Sequence, residues 1–263
     1  RGMTAEDAVG RFSFNLNVFG NLWEQIAKFR AARKLWAKML REEYDVQDKK
    51  KLFLRGLFGG GGSGLTKDQP ENNIMRGAFY ALGAALSGAQ TTALCSFDEA
   101  YTIPTPRAAL LSLRTLEIIM DEVGLRDTVD PLAGSYFIET LTKQMEEKIL
   151  EEMQQIQEIG GMVHAVDSGF IQRKVARQAY EYEKGLQKGE YIKVGVNKYA
   201  DEGEDQTDVE LHEYNEQWAD QQVSNLKGRL KKAEGQLDKK ADKDQLKAVS
   251  ERLDAHLAAK VNA

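Results

Sequence analysis

The sequence has a single cysteine and three histidines among its 263 residues, and these shortages narrow the chemistry it can carry. Cys95 cannot form a disulfide within the chain, which is typical of proteins in a reducing compartment, so we expect a cytoplasmic location. His164, His212 and His256 lie away from the ends of the predicted strands, and no CxxC, HExxH or Ser-His-Asp pattern occurs. Metal binding and histidine-based acid–base catalysis are therefore poorly supported.

Long apolar runs and an excess of positive charge are also missing. No stretch approaches the roughly 20 consecutive apolar residues that a membrane-spanning helix needs, so no membrane partner is expected. The formal net charge is -5, which makes a nucleic-acid partner unlikely on electrostatic grounds. With 42% hydrophobic residues, the chain has the composition of one large globular domain or two smaller ones.

Short strand-like and longer helix-like segments alternate in the first half of the chain. Three strand–helix units in series indicate an α/β fold with a parallel sheet and right-handed crossovers. A closed barrel and an open doubly wound sheet both satisfy this pattern. The predicted strands cover residues 12–18, 52–58 and 91–97, and the predicted helices cover residues 21–43, 69–86 and 106–123.

The second half of the chain is predicted to be mainly helical. Helices are expected over residues 139–159 and 171–186, with a short extended segment over residues 191–196. An acidic, polar stretch that we take as a linker follows. The predicted division is 1–128 for the strand–helix units, 129–200 for a helical extension, 201–214 for the linker and 215–263 for a helical tail.

The helical tail has a narrow apolar seam. Apolar residues recur there at spacings of three and four, which indicates two helical pieces or one long helix. The seam residues are Val223, Leu226, Leu230, Ala233 and Leu237, followed after a shift by Leu246, Val249, Leu253 and Leu257. A hairpin packed on its own domain and a contact with another subunit explain this pattern equally well.

Residues 59–64 read GGGGSG and follow a predicted strand, at the carboxyl edge of a parallel sheet where ligands bind. The run lacks the Gly-Lys-Ser/Thr ending of a phosphate-binding P-loop, so it is a weak motif by itself. Small residues would let a planar ligand approach the backbone, since a Cβ atom would hold it away. A flexible loop or an engineered linker has the same composition.

Charged side chains near two predicted strands are further candidates. Arg11 and Ser13 stand two residues apart at the start of the first strand, so both side chains are predicted to share a face on which they could grip a phosphate. A surface ion pair is the commoner role of such an arginine. Glu99 closes the third strand and could accept hydrogen bonds from ligand hydroxyls, although a proline-containing turn after it favours helix capping or a solvated acid.

Short sequence words add a different kind of information. They are FSF at 12–14, EQIAKFRAAR at 24–33, PENNI at 70–74 with Arg76, SFDEA at 96–100, DPLAGSY at 130–136, GGM at 160–162 and VGVNK at 194–198. In this order, across residues 11–199, they resemble the large catalytic subunit of coenzyme B12-dependent acyl-CoA mutases. Methylmalonyl-CoA mutase is the best-known member of that family.

The resemblance implies a (β/α)8 TIM barrel whose carboxyl end is covered by the corrin ring of adenosylcobalamin. This chain would supply the C-terminal part of that barrel, its last three strand–helix units, plus a mainly helical C-terminal extension. By position, Arg11 and Ser13 would contact the CoA phosphates of the acyl-CoA substrate. Gly62 would lie under the corrin, and the implied cofactor-binding residues are Gly59, Gly60, Gly61, Gly62, Glu99 and Ala100.

One departure from the family concerns the substrate. The family has Arg-x-His-x-Gln-Thr-x-Gly after the second of these strands, and this chain has Leu57 at the histidine position and Gly59 at the glutamine position. Both family residues serve the active site, so methylmalonyl-CoA itself becomes doubtful as the substrate. The loss of polar groups and bulk leads us to expect a larger or less polar acyl group.

A second departure concerns completeness. The first part of the barrel and the Asp-x-His-x-x-Gly motif, whose histidine is the lower cobalt ligand, do not occur in this sequence. We therefore expect radical 1,2-rearrangement of a CoA thioester only together with the remaining barrel segment or chain and a small cobalamin-binding subunit. The alternatives are a catalytically inactive assembly or scaffold subunit, and a different barrel enzyme whose glycine loop binds phosphate.

Overall fold

The computed structural model describes residues 2–200 and 209–237, together with residues 247, 251 and 252. Its contacts divide the chain into two units, Arg1–His212 and Glu213–Ala263. In the first unit, short parallel strands alternate with helices and are followed by helices alone. The elements are α1 (Ala5–Val9), β1 (Phe14–Asn17), α2 (Leu22–Glu42), β2 (Gly56–Gly59), α3 (Asn72–Leu86), α4 (Pro106–Asp121), α5 (Tyr136–Glu158), α6 (Met162–Asp167), α7 (Phe170–Gln187) and, in the second unit, α8 (Glu216–Leu237).

The sheet is small and parallel, as the alternating pattern predicts. β1 pairs with β2 in a register that places Asn17 opposite Gly59 at the carboxyl end. The third predicted strand, residues 91–97, is wrong in extent, because this segment joins β2 only through isolated parallel bridges at Thr91 and Leu94. The segment still lies beside β2 in parallel, so the carboxyl ends of three chain segments meet at one edge.

The first two strands are shorter than predicted, and each shortening has a local cause. β1 begins at Phe14 rather than at residue 12, because the chain leaves α1 through a turn in which the N–H of Arg11 donates to the Ala8 carbonyl at 3.0 Å. β2 begins at Gly56 rather than at residue 52, because Lys49–Leu52 forms a 3-10 helix. The side chain of Asp48 caps that helix by accepting from the N–H of Lys50 at 2.9 Å.

The main core lies between the sheet and α2. Phe29 of α2 stacks on Phe58 of β2, with ring centroids 4.6 Å apart and an interplanar angle of 9°. Both rings are buried, so this pair joins the helix to the strand that carries the glycine run. The same cluster contains Val18, Leu54, Tyr80 and Ala84.

The predicted helix over residues 21–43 is confirmed as α2. It begins after Asn21, whose side chain accepts from the N–H groups of Trp23 and Glu24 and so satisfies two of the free donors at the helix start. One face is apolar and buried, including Ile26 and Phe29, and it packs on the sheet and on α3. α2 also makes an extensive contact with α5 of the helical extension.

The extension after residue 129 is helical, as expected, with one addition and one correction. α5 and α7 match the predicted helices, and the short helix α6 between them was not predicted. The extended segment predicted over residues 191–196 is wrong. Residues 192–199 form a loop, because Gly195 turns the backbone at φ +82° and the side chain of Asn197 accepts from the N–H of Lys193 at 2.6 Å.

The second unit is described only in part. α8 (Glu216–Leu237) matches the first half of the predicted helical tail, and its seam residues Val223 and Leu230 are partly covered. The later seam residues of the tail, and residues 201–208 of the predicted linker, lie outside the described residues. Among the residues that the structure describes, no helix is both long and apolar enough to cross a membrane. The cytoplasmic location stays a prediction.

Arg30 joins the strand–helix units to the helical extension. This nearly buried side chain projects from α2 and forms ion pairs with Asp130 and with Glu139, the latter at 2.7 Å. The N–H of Gly134 also donates to Glu139 at 3.0 Å, and these neighbours lower the pKa of the Glu139 carboxyl. One guanidinium thus holds the turn before α5 and the first turn of α5 against α2.

Replacing Arg30 with methionine is expected to lower the Tm of the chain by about 5 °C, because two carboxylates lose a nearly buried charge-assisted partner. The matched control is Arg114→Met, which breaks an exposed pair with Glu117 on α4 and is expected to shift Tm by about 1 °C or less. Thermal unfolding followed by circular dichroism measures both. Equal shifts for the two variants would contradict the role given to Arg30.

Candidate functional site

The run of small residues forms a structured loop at the carboxyl edge of the sheet. We call residues 59–64 the glycine loop. Gly59 ends β2, Gly60 and Gly61 have φ values of +78° and +77°, and Gly62–Gly64 form a 3-10 turn. Side-chain-bearing residues rarely adopt such positive φ values, so the sharp turn after the strand itself requires glycine.

Part of the space above the glycine loop is filled by the protein itself. A Cβ atom on Gly59 would lie 2.3 Å from the Ala93 carbonyl oxygen, and one on Gly61 would lie 2.5 Å from the Tyr80 ring. Real Cβ atoms do not approach so closely, so these two glycines serve internal packing. Such fitted contacts argue against the flexible-linker interpretation of the run.

Gly60 and Gly62 have a different environment. A Cβ atom on Gly60 would meet the Asn17 side chain at 3.2 Å, and one on Gly62 would meet the Cys95 sulfur at 3.2 Å and the Glu99 side chain at 3.6 Å. These contacts are with side-chain ends rather than with backbone. Both residues are only partly covered, so they are the positions of the run where a ligand has room to approach the backbone.

An open cavity of about 410 Å³ lies beside the glycine loop. Its wall is the face of the sheet opposite the Phe29–Phe58 core, because alternate strand residues point to opposite sides. The lining residues are Asn15, Asn17, Leu57, Gly59, Gly60, Ala93, Leu94 and Cys95. Leu57 and Gly59, which stand at the histidine and glutamine positions of the mutase pattern, therefore both lie on the cavity wall.

Asn17 holds the glycine loop in place, and sequence reasoning did not single it out. Its side-chain oxygen accepts from the N–H of Gly61 at 2.7 Å, and its amide nitrogen donates to the Ser63 hydroxyl at 3.2 Å. Lys28 donates to the backbone carbonyl of Asn17 at 3.1 Å, and burial lowers the pKa of this lysine. The available signal was a polar residue at the carboxyl end of an otherwise half-apolar strand.

Glu99 lies beside the glycine loop, as the resemblance implies, and it contacts Cys95. The carboxylate is exposed near Gly62, with Ala100 exposed next to it. Burial raises the pKa of the Cys95 thiol, and the nearby negative charge of Glu99 raises it further. These residues form the rim of the cavity, and within the described residues no group of three or more His, Cys, Asp or Glu side chains could hold a metal ion.

Asp98, rather than Glu99, supports the residue that caps α4. This side chain is fully buried and accepts from the N–H of Thr105 at 3.1 Å and from the hydroxyl of Ser96. Thr105 in turn caps α4 by accepting from the N–H of Ala108 at 3.2 Å. Asp98 therefore fixes the turn, which leaves Glu99 free to face solvent on its outer side.

Arg11 and Ser13 lie at the other end of β1 from the glycine loop. Both are exposed, and both precede Phe14, so they stand outside the strand whose alternation was used to place them on one face. Four strand residues separate them from the carboxyl edge, a distance of about 13 Å. The structure thus brings the Glu99 side chain to Gly62, with Ala100 next to it in the chain, and leaves Arg11 and Ser13 at the amino edge.

Cys95 is expected to react slowly with iodoacetamide at pH 8, because its raised pKa leaves less thiolate than in an unfolded chain. The pH midpoint of alkylation should lie above that of the same protein in denaturant, and Glu99→Gln should move it back toward the unfolded value. Mass spectrometry of the alkylated peptide over a pH series measures this. An unchanged midpoint in Glu99→Gln would refute the coupling, and steric shielding alone would slow the reaction without moving the midpoint.

The sequence of the chain is similar to a known protein family and to individual proteins. The family model described as "Methylmalonyl-CoA mutase" matches residues 1–263. The 2-hydroxyisobutanoyl-CoA mutase large subunit of Aquincola tertiaricarbonis is 34% identical over 249 residues, which is 95% of this chain and 44% of the relative. Methylmalonyl-CoA mutase of Escherichia coli K12 is 38% identical over 208 residues, 79% of this chain and 29% of the relative. That of Rhizobium meliloti is 36% identical over 209 residues, 80% of this chain and 29% of the relative.

The chain spans less than half the length of these relatives. The similarity covers the strand–helix units and the extension together, so it includes the glycine loop, Asn17 and Glu99.

Proposed function

The chain belongs to the methylmalonyl-CoA mutase family, and from this premise we propose that it forms part of an adenosylcobalamin-dependent acyl-CoA mutase. The proposed reaction is an isomerisation, the 1,2-rearrangement of the carbon skeleton of a CoA thioester. The observation that carries the proposal is the pair Gly60 and Gly62, which are only partly covered at the carboxyl edge of a parallel sheet, with the Glu99 side chain beside Gly62.

We propose that the parallel strands are the last units of a TIM barrel. Support comes from the order of β1, β2 and residues 91–94, which lie side by side and alternate with α2 and α3. The polar face of the sheet would then line the barrel interior, and the Phe29–Phe58 core would lie between the strands and the outer helices. In this arrangement, the boundary at residue 128 would lie after the last barrel helix, α4, and the boundary at residue 200 would mark the end of the extension.

The residues of the glycine loop fit a flat cofactor at two positions. Gly60 and Gly62 would lie against the corrin, while Gly59 and Gly61 would support the loop from beneath through Ala93 and Tyr80. Glu99 and Ala100, exposed at the rim, would face the adenosyl side. When bound, adenosylcobalamin supplies the 5′-deoxyadenosyl radical that starts the rearrangement, and the chain's own residues position it and limit access of water.

Arg11 and Ser13 suit the distant end of a long substrate. A CoA thioester carries phosphates at one end and the reacting acyl group at the other, so one molecule can reach both edges of β1. The exposed guanidinium and hydroxyl at the amino edge would bind the phosphates. The thioester end would then lie in the cavity beside Asn15, Leu57 and the glycine loop.

Two positions of the cavity wall, Leu57 and Gly59, favour an acyl group without a free carboxylate. Leu57 and Gly59 offer no cation and no side-chain hydrogen-bond donor, and the buried carboxylate of a malonyl-type substrate would need one. Extra room is not the reason at Gly59, because the Ala93 backbone fills the space that a side chain would take. The relative named 2-hydroxyisobutanoyl-CoA mutase large subunit points in the same direction. We therefore narrow the expected substrate to a branched, less polar acyl-CoA.

The proposed enzyme needs partners. The relatives are at least twice as long as the matched part, and one of them is named a large subunit. α4 leaves Leu113 and Met120 exposed in the lining of an open cavity of about 810 Å³, which fits a further barrel segment packing on that side. The cobalt ligand would come from a small cobalamin-binding subunit.

Gly62→Ala is expected to weaken adenosylcobalamin binding by about tenfold, since the added methyl group occupies the face that the corrin would contact. Its backbone has no positive φ, and the fold should tolerate alanine with a small shift of Cys95. Gly77→Ala, in the middle of α3, is the matched control, because the new Cβ atom would make an ordinary contact of 3.7 Å with the Leu94 side chain. Spectrophotometric titration of the assembled enzyme gives both values, and equal affinities would refute the assigned contact.

Reconstitution tests the proposed function itself. The chain is combined with the remaining barrel segment, the cobalamin-binding subunit, adenosylcobalamin and a panel of acyl-CoAs, and products are resolved by chromatography. We expect cofactor-dependent isomerisation, with a branched acyl-CoA such as 2-hydroxyisobutanoyl-CoA preferred over methylmalonyl-CoA. No turnover of any acyl-CoA by a correctly assembled complex would favour the scaffold alternative. Equal or better turnover of methylmalonyl-CoA would contradict the substrate assignment alone.

A further inference from the structure

The loop that follows α7 contacts the glycine loop through Lys193, and Arg76 of α3 connects it to Thr66, two residues beyond the end of the glycine loop. This segment, residues 192–199, contains the VGVNK motif. It is far from the glycine loop in sequence, since Lys193 and Gly64 are 129 residues apart. We call it the 192–199 loop. It has no part in the cofactor and substrate contacts proposed above, so its place against the glycine loop needs a separate explanation.

Lys193 makes the direct connection. Its half-buried ammonium donates to the backbone carbonyl of Gly64, the last residue of the glycine loop. Burial lowers the pKa of Lys193, and the neighbouring positive charge of Arg76 lowers it further. Placing a cation in such surroundings is unfavourable unless it is hydrogen-bonded, so the carbonyl of Gly64 compensates it.

Arg76 makes the second connection, from α3. One guanidinium nitrogen donates to the Thr66 hydroxyl at 2.7 Å and to the Asn73 side chain at 2.8 Å, while the other donates to the Val194 carbonyl at 2.6 Å. Thr66 lies just past the glycine loop. The same 192–199 loop is therefore tied to the residues at and just beyond the end of the glycine loop.

Buried Asn73 extends this arrangement to the rim of the cavity. It exchanges hydrogen bonds with the backbone of Thr66 at 3.0 and 2.8 Å and donates to the Phe97 carbonyl at 2.9 Å. Phe97 lies two residues before Glu99 in the chain. The contact set thus spans both parts of the proposed cofactor surface, the glycine loop and the Glu99 turn.

The 192–199 loop is itself internally bonded, so it can act as a fixed support. Asn197 accepts from the N–H of Lys193 at 2.6 Å and donates to the carbonyls of Tyr191 and Leu186 at 2.7 and 2.9 Å. Gly195 packs so closely on Gln69 that a Cβ atom there would lie 2.9 Å from its side-chain oxygen. The loop therefore packs in one well-defined position on the residues before α3.

We propose that Lys193 and Arg76 are positioning residues, which hold the glycine loop in the conformation that receives the cofactor. The helical extension would then support cofactor binding without touching the cofactor. The proposal rests on the proposed function, because it assigns the glycine loop as the cofactor surface. Its structural half, the restraint of the loop, can be measured without any cofactor.

The test uses the assembled enzyme with Lys193→Met, Lys193→Arg and, as the matched control, Lys198→Met, which removes an exposed lysine from the same loop. Hydrogen exchange follows the amides of Gly64 and Leu65, which donate to Gly61 and Gly62 within the turn. Lys193→Met should speed their exchange about tenfold and raise the Kd for adenosylcobalamin about tenfold, with the KM for the acyl-CoA within twofold. Lys193→Arg should keep both the exchange rates and the Kd close to the wild-type values, because arginine retains a cationic donor. Lys198→Met should match the wild type.

The outcomes separate the two proposals. Unchanged exchange in Lys193→Met overturns the restraint, and faster exchange with unchanged cofactor affinity overturns its role in binding. A wild-type enzyme that binds no adenosylcobalamin overturns the proposed function, while the exchange rates still decide the restraint. If Lys193→Met does not fold, Lys193→Gln replaces it, since the shorter neutral side chain also loses the contact with Gly64.

Discussion

The close approach of Gly59 to the backbone of Ala93 is the constraint on which the carboxyl edge of the sheet depends. It brings residues 91–94 against β2, and the N–H of Gly60 then donates to the Ala93 carbonyl at 2.7 Å. In the geometry of this chain, a side chain at position 59 would require the backbone at Ala93 to shift. Gly59 and Gly61 thus serve the internal packing of this chain, and the ligand-facing role that we propose is left to Gly60 and Gly62.

Polar side chains from distant parts of the chain then fix the loop. Asn17 binds it from β1, Arg76 and Asn73 bind the residue just beyond it from α3, and Lys193 binds it from the helical extension. Loops are ordinarily the mobile parts of a fold, so this number of restraints is what a precise, pre-organised surface requires. Through Lys193, the helical extension contributes one of these restraints.

The helices were predictable from the sequence because their signals are local. Asn21 caps α2 and its apolar residues recur on one face, so the predicted bounds of residues 21–43 agree with Leu22–Glu42. The strands were less predictable, since pairing depends on partners far along the chain. The third of them forms only isolated bridges, although its residues have the composition of a strand.

The kind of site and its place in the fold were predictable from the sequence, whereas some of its residues were not. The position of the glycine run after β2, and of Glu99 after the third segment, followed from the rule that ligands bind at the carboxyl edge. Asn17 and Lys193 were not found, because their contacts with the loop join residues 44 and 129 positions apart. No local sequence pattern encodes such pairs. The VGVNK motif identified the segment as similar to the family but carried no information about its contacts.

The most direct measurement is an experimental structure of the assembled enzyme with adenosylcobalamin bound. We expect corrin atoms in van der Waals contact with the Cα atoms of Gly60 and Gly62, within about 4 Å, and Glu99 at the edge of the cofactor. A corrin ring bound away from the glycine loop, or a loop refolded so that Gly59 leaves Ala93, would contradict this expectation.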